Sequence, residues 1–253
     1  MSALIAFLII ATTLASSFIS GIFGMAGGMV LMGVLVALVP VATAMITHGA
    51  IMMVANGWRA YLLRGDVDWR VFWRYMIGAA MGVSLLFLVV WRPDKLAVYF
   101  ILGLVPVVIW LPRNWLDLDI QKPLQAEVTG IIVQAMNTLA GVAGPVLDIF
   151  FVRTAMTRQQ IVATKSATQA VSHIIKVGFW SAPLLLASTS PEPIFPPIWL
   201  LAVAIPVAMM GTALGKGILD RMKDDGFRSW VKGLVTVIGV IYFCRAAIGY
   251  GWI

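Results

Sequence analysis

The sequence predicts an all-α polytopic membrane protein made of two inverted-topology repeats, residues 1–117 and 118–253, each a Gly-broken helical hairpin plus three transmembrane helices. Three observations carry this prediction. Hydrophobic residues make up 61% of the 253 and charged residues 11%, where soluble domains carry roughly 25% charged residues. A polar-studded, Gly-interrupted unit recurs 117 residues further on without a gap: Gly24-Met25-Ala26-Gly27-Gly28 matches Gly141-Val142-Ala143-Gly144-Pro145, and Thr47-His48-Gly49-Ala50 matches Thr164-Lys165-Ser166-Ala167. The basic residues, finally, gather in loops on one side of the predicted spans.

Apolar runs fall near 3–39, 43–63, 72–91, 96–111, 124–156, 159–180, 197–215 and 229–251. The first has an apolar stretch but no basic leading region, so it reads as a retained span, not a cleaved signal peptide. A single helix over 3–39 would be about 55 Å long, against a hydrocarbon core of about 30 Å. It must break, and the Gly24 to Gly28 cluster is the place. The run 124–156 poses the same problem and breaks at Gly141 to Pro145, where proline suits the first turn of the next helix because its missing N–H would lack a partner anyway. Each half is then a hairpin followed by three spans, and no length is left for a separate soluble domain.

The basic residues test this count. With the loop Ser181 to Pro197 placed outside, Arg64, Arg70, Arg74, Arg113, Lys122, Arg153, Arg158, Lys216, Arg221, Lys223, Arg228 and Lys232 fall inside, and Arg92 and Lys95 outside. Arg59, Lys165, Lys176 and Arg245 remain within apolar runs. Both termini are expected outside, and the halves have opposite orientation. The net charge of +7 therefore reflects orientation and contact with anionic lipid, not nucleic acid. Cys244 is the single cysteine, which rules out an intrachain disulfide. With two histidines and no HExxH, GxSxG, P-loop or paired-carboxylate motif, the chain presents no metal set, no cofactor fingerprint and no catalytic constellation.

Where a hairpin turns at membrane depth, the next helix starts with free N–H groups and the positive end of its dipole, and both favour an anion. These donors are Ala26, Gly27, Gly28 and Met29 in the first copy, and Ala143, Gly144 and Val146 in the second. The alternative is that the small residues serve close helix packing. Two stripes accompany the breaks. His48, Met52, Asn56 and Arg59 lie on one helix face, and Lys165, Gln169, His173 and Lys176 repeat it. Polar groups in apolar spans usually face the protein interior or a pathway, so His48, Asn56, Lys165, Gln169 and His173 are candidate lining residues. Arg59 and Lys176, near the ends of their runs, are expected to snorkel to the interface. Ser17 and Ser20 match Gln134 and Asn137; these either bond substrate or satisfy unwound backbone. Asp148 is expected to pair with Lys165, as a gate or as a static bond. His48 and His173 are candidates for a coupling proton, since histidine titrates near neutrality. Trp69 and Trp73 read as interfacial anchors.

The combination of GIFGMAGG at 21–28, a span ending in Arg64-Gly65-Asp66-Val67-Asp68-Trp69, and a second Gly-containing copy resembles the sulfite exporter TauE/SafE family over essentially the whole chain. Family members typically carry a longer glycine run at both breaks. The resemblance implies a carrier in the bacterial plasma (inner) membrane that exports a small sulfur-containing anion such as sulfite, an organosulfonate like sulfoacetate, or thiosulfate. Its partners would be that anion, lipid, and a coupling proton or other ion, with a homodimer as the base-rate assembly. Two alternatives stay open: an uptake carrier or channel for another anion, and a noncatalytic membrane assembly subunit.

Overall fold

A computed structural model describes residues 2–23, 26–89, 92–110, 118–151, 154–186, 195–219 and 224–252. Among these the chain forms ten α-helices, one 3-10 turn at Arg64–Asp66 and no strand. The helices are α1 (Ala3–Phe23), α2 (Ala26–Leu38), α3 (Val41–Leu62), α4 (Trp69–Val89), α5 (Lys95–Trp110), α6 (Gln125–Ala140), α7 (Gly144–Phe150), α8 (Arg158–Leu186), α9 (Ile198–Leu219) and α10 (Asp224–Gly249).

Both overlong runs break where glycine clusters. The first divides between Phe23 and Ala26; Gly24 and Met25 lie outside the described residues. The second divides at 141–143. Gly141 follows the last helical residue with φ +81°, the left-handed conformation that ends many helices and that glycine adopts without a Cβ clash. Pro145 then sits in the first turn of α7. The interval of 117 recurs at two element ends, since α1 and α6 stop at Phe23 and Ala140, and α3 and α8 start at Val41 and Arg158. It lapses afterwards, partly because α8 has 29 residues and α3 has 22. At about 1.5 Å per residue, α2 reaches about 20 Å and α7 about 10 Å, so neither returning arm can cross a core of about 30 Å.

Helices α1, α4 and α9 are long and apolar enough to cross a membrane. Helices α3 and α8 are long enough but too polar to qualify. Their polar side chains point inward: Thr47, His48 and Asn56 on α3 are buried, as are Thr164, Thr168, Gln169, Ser172, His173 and Lys176 on α8. Large apolar residues such as Phe7, Trp73, Leu88, Val107 and Ile198 are exposed instead. The described surface is rich in large apolar residues, and the buried polar residues concentrate along α3 and α8.

The principal packing pairs are α1 with α9, α4 with α6, α3 with α8 and α5 with α10. Exchanging α1–α5 for α6–α10 leaves that set unchanged. Two of the crossings depend on small residues, which let backbones approach where lipid supplies no hydrophobic drive. A Cβ on Gly78 would collide with the Glu127 carbonyl and one on Gly130 with the Tyr75 carbonyl, across α4 and α6. Across α1 and α9, a Cβ on Gly21 would lie 2.7 Å from the Thr212 carbonyl oxygen. Arg74 locks α4 to α6 with two bonds to Glu127, at 2.7 and 2.8 Å, and a third to the Lys122 carbonyl at 3.0 Å.

Overpacking of this kind costs about 1–3 kcal/mol. Gly78→Ala should therefore lower the melting temperature in detergent, whereas Gly65→Ala, whose Cβ would meet nothing, should leave it within error.

Candidate functional site

Both hairpins contribute to one cavity between α3 and α8. It is lined by Ser20 from α1, Gly28 from α2, His48, Met52 and Asn56 from α3, Asn137 from α6, Val142, Ala143 and Gly144 at the second break, and Gln169 and His173 from α8. Its volume is about 20 Å³, room for roughly one water molecule. Of the donor and lining candidates named from the sequence, Gly28, His48, Asn56, Asn137, Ala143, Gly144, Gln169 and His173 meet here, joined by Ser20 before the first break and Met52 of the α3 stripe.

The remaining candidates stand elsewhere. Ala26 begins α2. Gly27 faces α1, where a Cβ would collide with the Ser16 carbonyl, so this glycine serves close packing. Met29 is fully buried and its carbonyl accepts from the Tyr242 hydroxyl at 2.5 Å. Val146 belongs to an apolar cluster with Leu147 and Phe150. Gln134 is buried behind the cavity, donating to Thr138 Oγ1 at 2.9 Å and the Ser172 carbonyl at 3.4 Å, while its Oε1 has no partner. Lys165 and Asp148 form the expected ion pair, half-buried and outside the cavity lining.

Lys176 corrects the sequence reading. It does not snorkel: its exposure is 0%, and its Nζ donates to Gly141 O at 2.9 Å and to His48 Nδ1 at 2.8 Å. The apolar run ends at 180, which made position 176 look terminal, but α8 continues to Leu186 and leaves Lys176 well inside. Its position three residues beyond His173 on the same face was the available signal. Gly49 makes room for its stem, since a Cβ there would lie 3.2 Å from Lys176 Cε.

The bonds define the imidazole. A carbonyl only accepts, so the 3.1 Å contact of His48 Nε2 with Gly28 O places hydrogen on Nε2. Nδ1 is then the acceptor, and Lys176 the donor. Lys176 thereby reaches the second break directly and the first through His48. The His173 ring lies edge-on to His48 with centroids 5.5 Å apart, and its Nδ1 is 3.5 Å from Asn137 Nδ2.

Arg59 is likewise turned inward. It is half-buried and donates to the Ser20 carbonyl at 3.3 Å. Arg59 and Lys176, 117 residues apart, thus each cap carbonyls at the C-terminal end of a hairpin's first helix. That end is electronegative and leaves carbonyls without helical partners.

The Lys165–Asp148 pair invites a double-mutant cycle. Removing one partner strands a half-buried charge, whereas removing both does not. Lys165→Met and Asp148→Asn should each lower the melting temperature, and the double variant should recover most of the loss; additive losses would mean that the two charges are not coupled.

The family model described as Sulfite exporter TauE/SafE matches residues 8–242. No curated protein and no solved structure matches the chain.

Proposed function

The chain belongs to the sulfite exporter TauE/SafE family, a family of membrane transporters of sulfur-containing anions, and from this premise we propose that it exports a small sulfur anion by alternating access at the cavity between α3 and α8. It is accordingly a multi-pass membrane protein and a transporter, not an enzyme. The substrate is sulfite, an organosulfonate such as sulfoacetate, or thiosulfate. The protein sits in the bacterial inner membrane with both termini outside, and its halves, 1–117 and 118–253, are inverted copies. The exchange-invariant packing and the matching element ends support that relation.

One observation carries the reading: a fully buried lysine amine, Lys176, stands beside the cavity to which both hairpins contribute. A buried cation without a carboxylate at its contacts is costly, and an anion beside it offsets that cost. Asn56, Asn137, Gln169 and His173 supply neutral polar contacts, while Gly28, Ala143 and Gly144 allow close backbone approach. A cavity of about 20 Å³ is a closed state, so passage requires the halves to move.

Counterflow in proteoliposomes tests this, because a carrier shows trans-stimulation and a channel does not. Labelled sulfite or sulfoacetate is expected to exchange faster against internal unlabelled anion. Lys176→Met should lower that flux by about 30-fold or more, equivalent to about 2 kcal/mol for truncating one buried charge contact. Flux unchanged in a variant of normal melting temperature would remove Lys176 from the mechanism.

A further inference from the structure

We infer that Lys176 is held as an ammonium against His48 Nδ1, and that this nitrogen is a proton-binding site closed by Lys176 in the resting state and opened by the anion, so that one proton is taken up for each anion bound. The two ring nitrogens have different fates. Nε2 is committed to Gly28 O at 3.1 Å and carries a hydrogen. Nδ1 presents its lone pair to Lys176 Nζ at 2.8 Å. A proton on Nδ1 would turn that nitrogen into a donor aimed at an ammonium, which has donors only. While the contact lasts, the pair holds one positive charge and not two.

The ammonium has somewhere else to go. Lys176 keeps its Gly141 O bond at 2.9 Å and sits beside a cavity that His48 itself lines. An oxyanion there offers a charged acceptor, and charge-assisted bonds are roughly twice as strong as neutral ones. The ammonium turns to the anion and keeps its three hydrogens. The freed Nδ1 lone pair then takes up a proton from the buffered solution, giving an imidazolium with N–H on both nitrogens. For a singly charged anion the added charges cancel, so the loaded site has the same net charge as the resting one. Linkage makes the effect mutual: a proton on His48 releases Lys176 and favours the anion.

The surroundings of His48 bring little that competes. Of the helices packed on α3, α2 contains no titratable side chain, the described side chains of α9 include none, and α8 brings Lys165, His173 and Lys176, with Arg158 exposed at its first residue, ten positions before Thr168. Lys165 is neutralised by Asp148. Arg59, on α3 itself, is engaged at the Ser20 carbonyl.

The anion-driven half of this inference rests on the transport reading above; the tautomer half does not. The chain has two histidines, so ring-¹⁵N-histidine NMR of the full protein in nanodiscs gives two ring systems, assigned with His173→Asn. Without anion, His48 is expected as the neutral Nε2–H tautomer and to resist protonation across pH 5–8. In Lys176→Gln it should titrate within that window. In wild type, saturating sulfite should convert His48 to the imidazolium, with uptake of about one proton per anion measured calorimetrically in buffers of different ionisation enthalpy. A cationic or Nδ1–H His48 in the resting protein overturns the interlock whether or not the variant folds, as does identical titration of wild type and Lys176→Gln. Sulfite binding without proton uptake overturns it while leaving the transport reading intact. Absence of any response to sulfur anions in the cavity residues sinks the transport reading, and the resting tautomer then decides the interlock alone.

Discussion

The structure is organised around the need to satisfy a lysine amine that is fully buried. Lys176 Nζ lies in the polar interior with a carbonyl and an imidazole nitrogen as its partners. That placement makes demands on everything nearby. Gly141 must end α6 so that its carbonyl is free of helical partners. Gly49 must lack a side chain so that the lysine stem can pass. His48 must hold one tautomer, which Gly28 O enforces. The two breaks, separated by more than a hundred residues, are thereby tied to one point.

Around this centre, polarity is sorted opposite to that of a water-soluble protein. In water, apolar burial drives the core together; in lipid, close backbone approach and buried polar bonds do. Both devices appear, the first where Gly78 and Gly130 let α4 meet α6, the second along α3 and α8. Tyr75 on α4 extends the polar centre, with its hydroxyl 3.2 Å from Ser172 Oγ and 3.3 Å from Gln169 Nε2. The cavity therefore has a hydrogen-bonded wall held by a third helix.

Much of this was legible in the sequence because it depends on length and spacing. A run too long for one crossing must break, glycine marks where, and helical periodicity places His48, Asn56, Gln169 and His173 on facing surfaces. Eight of the predicted lining residues meet for that reason. The burial of Lys176 escapes the sequence because the end of an apolar run does not mark the end of the helix, which continues past it. Met29 and Val146 lie off the cavity lining because a helix's first turn presents several directions, and only packing decides which face the cavity. The roles of Tyr75, Gly49 and Tyr242 were beyond reach, since each depends on contacts between elements distant in the chain.

The inward polarity of α3 and α8 also bears on how the chain is made. A lysine at the centre of a span adds about 2.5–3.5 kcal/mol to the free energy of its insertion by the translocon, and α8 carries two, Lys165 and Lys176. Neither helix is apolar enough to settle in lipid alone, and the partner that satisfies α3 is synthesised some hundred residues later. The polar face of α3 therefore finds its partner only when α8 has been made, and the polar centre is complete only once both halves are present.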